Sequence, residues 1–296
     1  MPLVPCLVVV LGCSRKPAPP TVEDSLTSGT IRIACAPEAR GLIAREAAAF
    51  EALYPQARLE IHEASSRDGV GELFGARSDL AVITRELSTE ERAAAVRGKL
   101  ELEGYRFARD AAVMIANSEN PVQNLAVDRL REVYSTDGAR WSSLGGEDRP
   151  VEPVVLPAGA DLTEFMIQQV MGGQPIRAHA IYAANEAEVA SLVKKRPNAI
   201  GYVSLAAVPE DVRVLRLAGL TGLPYWKPDL EAIYRGDYPL TRFFSLYVRT
   251  DGAKLANGFI TYVTSREGQA LVEQAGLVPT AVPVRFVRRS PMLSTH

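Results

Sequence analysis

Cysteine is scarce in this chain, with only Cys6, Cys13 and Cys35 in 296 residues. Three thiols cannot build a disulfide framework, and their spacing fits no metal site. An excess of one charge is also missing: 33 Lys and Arg stand against 35 Asp and Glu, a formal net charge of -2. Without a basic footprint, nucleic acid is not expected as a partner. His179 and His296 are isolated and read as surface positions. No apolar run is long enough for a membrane span, since Leu3 to Leu11 falls well short of the roughly 20 residues a bilayer requires.

That short run suits the apolar core of a secretory signal instead. It ends in Val10-Leu11-Gly12-Cys13, which resembles the bacterial lipobox, where small residues precede a cysteine that is lipidated and becomes the amino terminus. An ordinary signal, or a buried strand that ends in cysteine, is the alternative. On the lipobox reading, residues 1–12 are a signal peptide and Cys13 is the lipidation site. Ser14 to Gly29 is rich in proline and small polar residues, so residues 13–29 read as a lipid-anchored tether. The folded part then lies in the periplasm or cell envelope, anchored to membrane. Cys35 remains as a buried structural residue at the end of the first strand.

With 47% hydrophobic and 23% charged residues the whole chain has the composition of an ordinary soluble globular protein, and its length suits two domains. The stretch Arg106 to Pro121 is where the backbone leaves one and enters the other. Ala111 to Ala116 has no polar alternation and reads as a strand covered on both faces, preceded by the charged pair Arg109 and Asp110. Before it, Thr30–Cys35, Arg58–His62 and Leu80–Thr84 read as strands and Ala39–Leu53 as a helix. Ser65–Gly69 reads as a loop, Val70–Gly75 as a short helix, and Ser88 with Glu91 as a capping box. After it, Asp128–Tyr134 and Ala187–Lys195 read as helices, and Val151–Leu156 and Ala199–Ser204 as strands. Asp161 heads a helix over Leu162–Met171, with Glu164 in capping-box position. Pro239–Val248 returns to the first lobe, and Lys254–Ala275 closes it with one helix or two. The expected fold is α/β with two lobes, each an open, mostly parallel sheet flanked by helices, in which ligands gather beyond the carboxyl ends of the strands. The lobes are residues 30–108 with 241–285, and 109–240, followed by a tail over 286–296 that includes Arg288 and Arg289.

The segments GARSDLAVITRELSTEE, YRFARDAAVMIANSENPVQNL, LREVYSTDGARWSSLGG, AIGYVSLAAV, YPLTRFFSLYV and SREGQALVEQAGLVPT, in this order, resemble the phosphate-type solute-binding proteins of bacterial ABC importers. The resemblance runs from about Thr30 to Thr280 and implies the type II periplasmic binding protein fold. Its two crossing strands would lie near Arg109–Ala112 and Tyr238–Arg242. It also implies a small oxyanion, phosphate first, held in the cleft by backbone N–H groups at helix starts and by hydroxyls. An importer permease is the implied partner; a monomer without cofactor or catalysis is expected.

Carried over by position, Ser66 takes the serine place of the family's Gly-Ser-x-x-Gly loop, with Gly69 its final glycine, and Thr84 and Arg85 match its hydroxyl-then-arginine pair. Other positions depart. Ala36, Pro37 and Glu38 replace a hydroxyl-rich turn. Gly159, Ala160 and Asp161 stand where the family has Ser-Gly-Thr at a helix start, and Val151–Leu156 has no arginine. Asp161 thus puts a carboxylate where the anion should sit, or else it caps its own helix and points away. In the first case, two like charges about 4 Å apart at an effective dielectric of about 20 repel by roughly 4 kcal/mol, on the order of a thousandfold in affinity. Arg67 and Arg40 are compensating charges. A ligand-free or altered-ligand member acting as a sensor or envelope interaction protein is the alternative function. His62, Ser66 and Asp68 hold a triad's residue types without a nucleophile elbow, and Glu38 with Asp161 would be a carboxylate pair. Gly69, Gly71 and Gly75 miss dinucleotide spacing, and Trp141 and Trp226 read as packing residues.

Overall fold

The computed structural model describes residues 23–177 and 179–280. The signal run, Cys13 and the tail with Arg288, Arg289 and His296 lie outside them.

The fold is organised by one 16-residue strand, β4 (Leu102–Asn117), which serves both lobes. Its amino-terminal half pairs antiparallel with β11 (Thr241–Arg249), the returning strand, from Leu102 against Arg249 to Ala111 against Thr241. The register shifts at Phe107, a bulge that adds local twist. Beyond Ala111 the partner changes: Ala112 to Ala116 pair with β8 (Ala199–Ser204). Ala111 to Ala116 are fully buried, as an unbroken apolar run requires. The strand nevertheless begins at Leu102 and not at Ala111, because β11 supplies ladder partners to the charged stretch that includes Arg106, Arg109 and Asp110.

In the first lobe β1 (Gly29–Cys35) leads into α1 (Arg40–Leu53) and pairs in parallel with β2 (Ala57–Glu63). Helix α2 (Ser66–Phe74) and β3 (Leu80–Ile83) follow, and β3 lies between β1 and β11. Helix α3 (Thr89–Arg97) then starts with both bonds of the Ser88–Glu91 capping box. Ser66 to Gly69 is the first turn of α2 rather than a loop. Ser65 is the cap, its hydroxyl accepting the Asp68 N–H at 3.1 Å, and a capped first turn is polar whatever follows it.

In the second lobe β5 (Asn124–Ala126), α4 (Val127–Ser135), β6 (Glu152–Val155), α5 (Asp161–Gln169), β7 (Ile181–Tyr182) and α6 (Glu186–Lys195) precede β8. Parallel pairing joins β6 to both β7 and β8. Helix α6 lies close over β8 because Gly201 leaves room; a Cβ there would come within 2.7 Å of the Val189 side chain. The short strands β9 (Val212–Val214) and β10 (Arg216–Ala218) and helix α7 (Leu230–Arg235) lead to β11.

The chain ends in α8 (Lys254–Val263), α9 (Arg266–Gln274) and β12 (Val278–Pro279). Two helices close the first lobe, not one. The expected tether stops short of Gly29: both Asp24 carboxylate oxygens accept N–H groups at the start of α8, from Lys254 at 2.9 Å and Leu255 at 3.2 Å. Separate cores serve the lobes, Phe50 against Phe259 in the first and Tyr134 against Tyr202 in the second. Cys35 is fully buried, and burial pushes its thiol up to about 12. No described helix is long and apolar enough to cross a membrane.

Candidate functional site

Two polar ends from the first lobe meet one from the second. Ser65 caps α2 through the Asp68 N–H, and Ser66, at the first helical position, keeps its own N–H for a partner across the cleft. Strand β3 ends one residue before Thr84, whose N–H donates to the Ser66 hydroxyl at 3.1 Å. From the other lobe comes α5, whose N-cap, Ala160, offers no side-chain bond and leaves Asp161 in the first turn.

Asp161 fills the space between them. Its Oδ2 accepts the Thr84 hydroxyl at 2.8 Å and a short hydrogen bond from the Ser66 hydroxyl, and its Oδ1 accepts the Ser66 N–H at 3.3 Å. All three residues are buried. A carboxylate at the N-terminus of α2, with two hydroxyls donating to it, is an oxyanion in an oxyanion cradle. The expected capping role of Asp161 within α5 is not what forms, because three donors across the cleft outbid the helix's own N–H groups.

Glu164 repeats the pattern one turn along. Instead of reaching back to cap α5, it lies 3.2 Å from Arg67 and 3.3 Å from Arg85. Arg85 makes a two-pronged contact with Glu91 at 2.7 and 2.8 Å. Glu91 also accepts the Ser88 N–H, so the arginine is fixed by a carboxylate that is itself fixed.

Behind the cradle, at the crossing strands, Arg242 of β11 donates to Asp110 of β4 at 2.7 Å, both groups buried. Asp110 also accepts the Leu205 N–H at 2.9 Å, tying the crossing to the end of β8. Glu38 lies 4.0 Å from the same arginine. Burial raises the Glu38 carboxyl above the ordinary range against the pull of Arg242, and the charges of Asp161 and Glu186 raise it further. Acids therefore crowd this cleft.

The remaining sequence candidates are placed as follows. Ala36 is buried and its N–H is spent on Val82, while Gly159 is exposed with open space around it and the Ala160 N–H turns back to Pro157. None of them brings a hydroxyl to the cradle. Arg40 begins α1 and lowers the Cys35 thiol only partly against burial. The triad types do not converge, for His62 pairs with Glu72 at 2.8 Å and Asp68 accepts from Ser65. Among the described residues no His, Cys, Asp or Glu cluster is grouped to hold a metal ion. Trp141 is buried, with its indole N–H on Asn198, whereas Trp226 is 38% exposed and packs only in part. Glu164, Asp110 and Arg242 were not singled out as cleft residues by the sequence. The signal for Glu164 was its spacing, because carboxylates three apart share a helix face.

A family profile described as PBP superfamily domain matches residues 20–267. The phosphate-binding protein PstS of Bacillus subtilis is 22% identical over 262 residues, 86% of this chain and 82% of that protein. The PstS of Pseudomonas aeruginosa is 23% identical over 256 residues, 79% and 78% of the two chains. Among solved structures, an ABC-type phosphate transport receptor from Vibrio cholerae superposes with a TM-score of 0.74 at 21% identity, over 84% of this chain and 99% of its own. PstS from Borrelia burgdorferi gives 0.65 at 18%, over 86% and 99%. At such identities the structural likeness speaks for the fold: the two-lobed α/β architecture of periplasmic binding proteins.

Proposed function

This chain belongs to the PBP superfamily, and from that premise we propose that it is an extracytoplasmic solute-binding lipoprotein that takes a small oxyanion, phosphate first, between its lobes for an ABC importer. The observation that carries the reading is the cradle of Ser66 and Thr84, which already binds an oxyanion group through two hydroxyls and a helix-start N–H. Contacts from both lobes converge there, so a solute bound in it stabilises the closed form over the open one. Anchoring through Cys13 and delivery to a permease belong to the same reading.

Asp161 sets the terms of binding. A solute oxyanion has to take the donors that Asp161 holds, and a carboxylate left about 4 Å away would cost it roughly 4 kcal/mol at an effective dielectric of about 20. A second reading rests on the same contact: the protein is closed by its own carboxylate and serves as a sensor or envelope interaction protein without a solute. Calorimetry with phosphate and sulfate separates the two. Heat of binding in the native protein supports capture; a folded protein that gives none with either anion leaves the second reading.

A further inference from the structure

Seven of the twelve large apolar side chains exposed among the described residues lie between Val214 and Tyr234 on the second lobe. Leu217 and Trp226 exchange both N–H···O bonds, at 2.9 and 2.8 Å, and so close a loop. Its tip is pinned where Thr221 donates twice to Asp128 on α4, at 3.0 and 2.8 Å. Leu220 and Leu223 flank that tip, Tyr225 and Trp226 follow, and Leu230 and Tyr234 stand one turn apart on α7.

Beside this patch is an open cavity of about 410 Å³ whose lining includes Arg213, Arg216 and Lys227. None of these cations has a carboxylate within 4.0 Å among the described residues; the adjacent Asp211 pairs with Lys194 instead. Asp229, the acid in the lining, is engaged in capping α7 through the Ala232 N–H at 2.9 Å. Arg213 donates to the Ser118 carbonyl at 2.7 Å, yet its buried Nε has no partner. In a chain of net charge -2, three cations against one carboxylate in this lining are a local excess of positive charge.

We propose that this face rests on an anionic membrane surface, with Arg213, Arg216 and Lys227 taking lipid phosphates and the loop 218–226 dipping into the headgroup layer. Tyr and Trp, apolar at one end and polar at the other, suit that depth, and basic side chains beside them reach the phosphates. Charge complementarity favours the bilayer: Arg213, Arg216 and Lys227 outnumber the one acid of the cavity, Asp229, and a carpet of phosphodiesters supplies the missing negative charge. The contact is independent of the cleft.

The test is co-sedimentation of the full chain with phosphatidylcholine vesicles and with the same vesicles carrying phosphatidylglycerol. Two variants are compared with the parent, Arg216→Glu with Lys227→Glu, and Leu220→Ser with Leu223→Ser. All four side chains are exposed, so folding is preserved, and any contribution of the amino-terminal segment is common to every sample. Binding should favour the anionic vesicles, fall with added salt, and weaken at least about tenfold in the charge variant and measurably in the leucine variant. Equal binding to both vesicle types, no binding to either, or parental binding in both variants would overturn the inference.

Discussion

The Thr84 hydroxyl of the first lobe donates to Asp161 of the second at 2.8 Å, joining residues 77 apart in sequence across the cleft. With the Ser66 contacts this makes Asp161 a latch as well as an occupant. Thr84→Val keeps the shape and removes the donor, leaving a buried carboxylate one partner short. The expected cost is about 1–3 kcal/mol of stability, read from urea unfolding, together with a larger radius of gyration in solution scattering. A variant as stable and as compact as the parent would mean that this contact does not hold the lobes together.

The crossing strands depend on a buried ion pair. Arg242→Met leaves Asp110 charged and buried without its guanidinium, and should destabilise the fold by about 3–5 kcal/mol. Adding Asp110→Asn should recover part of that loss, since the uncompensated charge goes with it. Additive losses in the double variant would show that the two residues act separately.

Glu46 on α1 is fully buried, and neither of its carboxylate oxygens has a hydrogen-bond partner. Burial pushes its pKa from 4.5 up to about 8, slightly opposed by Arg45. The folded protein therefore keeps a proton that the unfolded chain releases, and stability declines as pH rises through that window and levels off above it. The decline should be on the order of a few kcal/mol, and Glu46→Met should abolish it. Urea midpoints across this pH range give the answer; parallel pH profiles for parent and variant would contradict it.

The last part of the expected tether is docked by shape. A Cβ on Gly258 would sit 1.8 Å from the Leu26 carbonyl oxygen, a backbone atom that cannot turn aside. Gly258→Ala should thus displace the Asp24–Leu26 segment from α8, lower stability by about 1–3 kcal/mol, and open this segment to proteases. An unchanged digestion pattern would show that the segment tolerates displacement.

What the sequence revealed and what it hid have physical causes. Ala111 to Ala116 was legible as a covered strand because both its faces are buried, whereas Leu102 to Asp110 carries charges, and its strand form comes from β11, more than a hundred residues away. The first turn of α2 looked like a loop because Ser65, Ser66, Arg67 and Asp68 are all polar, as a capped helix start is. Asp161 and Glu164 have the spacing of a capping box, but spacing cannot say whether a carboxylate bonds its own helix or a neighbouring lobe. Here Ser66, Thr84, Arg67 and Arg85 decided it. Trp226 was hidden for a similar reason, since exposure is a property of the whole surface and a tryptophan in isolation suggests a core.

Ser66 and Thr84 hold the Asp161 carboxylate at the place where we propose that a solute oxyanion binds. Phosphate calorimetry on Asp161→Ala beside the parent tests it most directly. The variant should bind phosphate at least about tenfold more tightly than the parent, and adding Ser66→Ala should abolish the gain. Equal affinity in parent and variant, or a gain that survives the loss of the Ser66 hydroxyl, would contradict it.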